Sequence, residues 1–142
     1  MVVPKFRVWV EAEETMHPVL SLDWSGIDDD LTVFVPMGHT SSRAVSIDNA
    51  VLMQSTGLFD KNGKEIFEGD VVESTWFKGY DDCVGCRKAG VVVYRDGCFR
   101  IEYQGEEEKG YFSITLKFAV SVEIIGNIYE NPELVEGVGN GN

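Results

Sequence analysis

Residues 91–103, VVVYRDGCFRIEY, decide how the rest of the chain reads. Two runs rich in β-branched and aromatic residues flank Asp96-Gly97, a dipeptide that accepts positive φ at both positions, which is the signature of a tight β-hairpin. The whole chain carries the same bias, with 19 Val and 8 Ile against 7 Leu and 5 Ala. β-Branched and aromatic side chains fit a pleated, half-buried surface, whereas helices want the opposite mixture. With 15 Gly as punctuation, the composition predicts a mainly β domain.

Working outward, residues 51–77 repeat the alternation of strand and turn. VLMQST predicts a strand, Asp60-Lys61-Asn62-Gly63 a reversal near Asn62, Glu68-Gly69-Asp70 a second turn, and Val71 to Phe77 a further strand. Residues 78–89 read as a loop. Beyond the hairpin, 104–110 (QGEEEKG) is a charged loop and 111–117 and 120–128 read as strands. Asn131, Pro132 and Glu133 combine an N-cap, a proline at the first helical position and an acid at the positive end of the dipole, which predicts one short helical turn through Val135. Residues 137–142 (GVGNGN) read as a frayed tail.

At the other end, residues 5–10 (KFRVWV) place Phe6, Val8 and Val10 on one face and Lys5, Arg7 and Trp9 on the other. Residues 16–24 and 31–35 predict a hairpin across Ser25 to Asp30, and Pro36 to Asn49 reads as a polar loop. The organisation expected is one domain over 1–136, with an N-terminal hairpin part at 5–50, a barrel core at 51–130 and a flexible tail at 137–142.

Charge narrows the function. Twelve Lys and Arg against 24 Asp and Glu give −12 and a pI near 4.4. Phosphate recognition works by neutralisation with Lys and Arg, so this field disfavours direct nucleic-acid binding and anionic membranes. No run approaches the roughly 18 apolar residues of a membrane span. Pro4, Lys5 and Arg7 break up the N-terminal apolar run, which reads as a strand of the mature protein and not as a signal peptide. Three cysteines, an odd count, argue against a secreted disulfide scaffold and for a reducing, cytoplasmic setting.

Cys83 and Cys86 have the C-x-x-C spacing that holds two of four tetrahedral zinc ligands, and Cys98 is a candidate third, with His17, His39 or Asp82 as the fourth. A single such pair without a matching second pair also arises by chance. No strand–turn–helix context supports a thioredoxin-like role, and neither histidine lies near a nucleophile elbow. The acids, among them Glu68 and Asp70 and the triplet Glu106 to Glu108, are distributed as on a solvated surface. Trp9, Trp24, Trp76, Phe77 and Tyr80 lack the basic groove of a base-stacking platform and read as core. No catalytic or cofactor-binding residue emerges; the metal candidates are Cys83, Cys86 and Cys98, with zinc as the ion.

Three longer strings carry a resemblance. Residues 53–72 (MQSTGLFDKNGKEIFEGDVV), 122–136 (VEIIGNIYENPELVE) and the opening KFRVWVEAEETMHPV resemble the signature blocks of the YopX family of small phage and prophage proteins. The resemblance implies a phage or prophage origin, a bacterial cytoplasmic location and homo-oligomerisation, and it supplies no catalytic residues. Read physically, Gly57, Asn62, Gly63, Gly69 and Asp70 are turn chemistry, Leu58, Ile66, Phe67, Val71 and Val72 are core, Gly126 suits a bulge and Asn131 a cap. The EGDVV turn-then-strand also recurs in SH3-like barrels, so a small, partly closed barrel is expected by analogy. The expected function is that of a non-enzymatic accessory protein acting through protein binding or self-association. The alternatives are an acidic imitation of DNA that occupies a basic host protein, and a metal-binding domain built on the cysteines.

Overall fold

In a computed structural model, residues 5–25, 30–75, 87–104 and 111–136 are described. The strands are β1 (Phe6–Val10), β2 (Thr15–Pro18), β3 (Ser21–Asp23), β4 (Thr32–Met37), β5 (Ser41–Ser46), β6 (Ala50–Phe59), β7 (Glu65–Phe67), β8 (Asp70–Thr75), β9 (Arg87–Arg95), β10 (Cys98–Gln104), β11 (Tyr111–Thr115) and β12 (Val120–Asn127). A single α-turn, α1 (Glu133–Glu136), follows. The chain is mainly β, as its composition requires. It divides into two units, Met1–Ser55 and Thr56–Asn142.

In the first unit, β1 lies between β2 and β6, and β4 lies between β3 and β5, all antiparallel. The chain turns from one sheet to the other at a single peptide: the Val19 N–H donates to the Phe6 carbonyl, and the next N–H, of Leu20, donates to the Phe34 carbonyl. A bend of this kind lets one run of chain serve two sheets. The core is made entirely of valine at its centre, with Val8 and Val10 from β1, Val33 and Val35 from β4 and Val45 from β5. Residues 16–24 are therefore two strands and not one, because Thr15–Pro18 pairs with β1 while only Ser21–Asp23 pairs with β4. The expected loop over 36–49 is replaced in large part by β5, paired to β4 without interruption from Ser41 to Ser46. Gly38, at φ +71, makes the intervening turn, and the Ser41 hydroxyl donates to the Met37 carbonyl. Trp9, on the face of β1 opposite Val8 and Val10, is nevertheless buried.

In the second unit the order is β11-β10-β9-β8-β12. The Asp96-Gly97 hairpin pairs β9 with β10, with both turn residues at positive φ (+56 and +83). Side chains from five strands and a 3-10 turn meet in its core: Ile66, Val72, Val92, Ile101, Tyr103, Leu116 and Val122. Gly90 is required by packing, since a Cβ there would stand 2.6 Å from Ile101 Cγ2 and 2.8 Å from the Glu102 carbonyl oxygen. β12 slips register between Val120 and Glu123, where Ser121 takes φ +57, and again between Ile124 and Gly126. The second slip is the bulge that Gly126 foretold.

Candidate functional site

Two polar constellations organise the described residues, one in each unit. In the first, Glu13 follows β1 in the turn to β2, Thr15 and His17 lie on β2, and Arg43 on β5. His17 is opposite Val8, Thr15 opposite Val10, and Arg43 opposite Val35, so all three share register with core valines. Arg43 grips Glu13 with both Nη atoms, at 2.7 and 2.6 Å. His17 Nε2 lies 2.8 Å from Thr15 Oγ1, 3.5 Å from Arg43 Nη2 and 3.7 Å from Glu13 Oε1. The Arg43 fork holds the Glu13 carboxyl below its ordinary range against the opposing effect of desolvation, and Glu13 in turn raises Arg43. Glu13 is exposed and Arg43 half-buried, so the pair is partly screened by solvent and contributes orientation more than stability. Sequence reading missed it because the partners are 30 residues apart and Arg43 sits in a stretch whose serines mimic a loop.

The second constellation joins two of the sequence blocks that carried the family resemblance. Asp60 Oδ1 accepts the N–H groups of Asn62 and Lys64, and its Oδ2 accepts that of Ile124 on β12, each at 2.9–3.0 Å. The Lys61 N–H donates to the Val122 carbonyl, and Lys61 Nζ pairs with Glu123. Burial pushes the Asp60 carboxyl up, but the three N–H groups and the Lys64 charge outweigh it and leave it below the usual carboxylate range. Nearby, Asp70 Oδ2 accepts the Phe67 N–H, and the Gly69 carbonyl accepts the Ile128 N–H. Asn127 Oδ1 takes the N–H groups of Tyr129 and Glu130, while Asn131 Oδ1 takes that of Asn127. Inside the core, Ser74 Oγ and Tyr103 Oη are 2.6 Å apart, and burial raises the tyrosine pKa despite that bond. Asp60, Asp70, Asn127 and Asn131 are thus held by backbone, which is fold specification.

Of the metal candidates, Cys83 and Cys86 lie outside the described residues, as do Asp82, Trp76, Phe77 and Tyr80. Cys98 opens β10 as a half-buried thiol, its Sγ 3.7 Å from the Arg95 carbonyl oxygen and from Arg100 Nη1. Among the described residues no three His, Cys, Asp or Glu side chains converge on a metal position. His39 is exposed in the β4–β5 turn, and Asp70, far from solvent, is a structural acid. Trp24 is 59% exposed, contrary to its expected core role. Among the described residues no helix is long and apolar enough to cross a membrane.

Antiparallel sheets tied by Asx-type turns define a small β protein whose characteristic sequence blocks specify structure. The chain belongs to the YopX family: the model described as YopX protein matches residues 5–136. It is similar to the crystal structure of protein EF1440 from Enterococcus faecalis, at 29% identity and a TM-score of 0.59 over 96% of this chain and 100% of that one. The X-ray structure of protein yopX from Bacillus subtilis is similar in fold, at 24% identity and a TM-score of 0.55 over 93% of this chain and 98% of that one. No curated protein matches the chain.

Proposed function

We propose that the chain is a phage or prophage accessory protein of the bacterial cytoplasm that works without catalysis, by binding another protein or further copies of itself. The observation that carries this reading is apolar exposure in the second unit. Phe118, in the 3-10 turn before β12, is 70% exposed, Val120 at the start of β12 is 45% exposed, and Phe59 and Tyr94 are also open to solvent. Aromatic side chains are enriched where proteins meet one another, and their exposure has a solubility cost unless a partner covers them. Light scattering together with affinity capture tests the reading: the native chain self-associates or retains a protein partner, and Phe118→Glu loses that association. A chain that stays monomeric and captures nothing that Phe118→Glu loses overturns it.

The −12 charge supports a second reading, in which the acids imitate DNA on the way to a basic host protein. Capture by that route is lost when salt is raised to several times the physiological level, whereas apolar capture persists.

A further inference from the structure

Two edge strands, β12 in the second unit and β5 in the first, differ in how they are protected. The outer edge of β12 is covered, since the Lys61 N–H and the Asp60 carboxylate occupy the Val122 carbonyl and the Ile124 N–H. The strand is also bulged twice, which further spoils it as a template. Among the described residues nothing protects β5 in these ways. It is an edge strand, pairs with β4 in unbroken register over all six residues, and contains no proline.

The direction of its backbone groups follows from neighbouring bonds. The Phe34 carbonyl accepts the Leu20 N–H from the β3 side, so Phe34 faces away from β5. Ala44, directly opposite Phe34, is then a non-hydrogen-bonded partner whose own N–H and C=O point away from β4. Pro36, opposite Ser42, has no N–H to donate, which places Ser42 in the same class. The Ile47 N–H bonds the Leu31 carbonyl, which fixes the phase at the far end and turns the Ser46 N–H outward, while the Ser46 carbonyl caps the 3-10 turn at Ile47–Asn49. Ser42, Ala44 and Ser46 are all exposed and repeat at about 6.8 Å, the spacing of one face of an extended peptide. Arg43, the one charged residue of β5, is turned to the other face and held by Glu13.

We propose that β5 receives an extended segment of a net-basic protein partner as an added strand beside Ser42, Ala44 and Ser46. Main-chain bonds supply the attachment, and residues of the incoming strand that share the face of Val45 extend the apolar rim. The partner's sign follows from the chain's −12: a basic segment is drawn in by that field, whereas a second copy brings no complementary charge to this edge. This rests on the protein-binding reading above but uses a different surface.

The test uses the full chain and a synthetic peptide, acetyl-Lys-Thr-Val-Thr-Val-Thr-Lys-amide, with the same peptide carrying Glu in place of Lys as control. The basic peptide is expected to slow amide exchange at Ser42, Ala44 and Ser46. Ala44→Pro removes only an outward N–H, which an edge strand tolerates, and weakens binding about tenfold. Should that variant not fold, Ala44→Lys places a like charge on the same strand and gives a loss in the same direction. Native-like affinity in both variants, no protection of the three amides, or equal binding of the acidic peptide overturns the proposal. So does protection of those amides by self-association without peptide, which assigns the edge to a second copy. Phe118→Glu leaves peptide binding unchanged, so loss of the apolar association and loss of the β5 site are read separately.

Discussion

Glu13 and Asp60 are both carboxylates with lowered pKa, yet they hold their regions in different ways. Glu13 answers one guanidinium at the surface of the first unit, where water competes for both partners. Asp60, only 6% exposed, answers three backbone N–H groups and so ties residues 60–64 to β12. An exposed pair can be lost with water taking its place. A buried acceptor cannot, because its donors stay behind and remain unsatisfied.

The sharpest way to break this comparison is Asp60→Ala, which strands three donors and is expected to lower unfolding stability by about 3 kcal/mol, read from the urea midpoint. Gly90→Ala comes next at about 2 kcal/mol, because the Glu102 backbone beside it cannot yield as a side-chain end can. Tyr103→Phe leaves the Ser74 hydroxyl without its partner and costs about 1 kcal/mol; a double-mutant cycle with Ser74→Ala isolates that bond.

Acid provides a further contrast. Because the folded Asp60 pKa is depressed, its contribution is present above the unfolded carboxylate pKa and is lost as pH falls through the lower folded value. Stability measured from pH 6 down to pH 2 therefore falls more steeply in the native chain than in Asp60→Asn. The smallest effect is expected for Glu13→Gln and Arg43→Ala, whose urea midpoints stay close to the native one at physiological salt. A loss there as large as that of Asp60→Ala would erase the distinction between the two regions.

Legibility in the sequence followed the locality of the cause. Asp96-Gly97 and Asn62-Gly63 declared their turns because the chemistry of a reversal lies in the two residues that make it. The short turn at Glu133–Glu136 was readable from Pro132, although Asn131, read as its cap, turns its Oδ1 to the Asn127 N–H upstream. β5 was not, since Ser41, Ser42 and Ser46 have loop character and the strand exists only because β4 offers a ladder. The division of 16–24 at Val19 was equally hidden, as it depends on which sheet accepts each successive N–H. Within the site, Asp60 was recognisable as a turn former but not as a tie to Ile124, a residue with no local relation to it. The same distance hid the Glu13–Arg43 pair.

The bond from Ile124 to Asp60 spans 64 residues. Closing so long a segment has an entropic cost that local hairpins such as 91–103 avoid, so it belongs to the late stage of assembly. Asp60→Ala should then leave the refolding rate nearly unchanged and accelerate unfolding instead, with most of its effect on the unfolding limb of a chevron. The carboxylate that specifies this turn is in that sense a latch on the finished structure, setting how long the second unit stays closed and not how fast it forms.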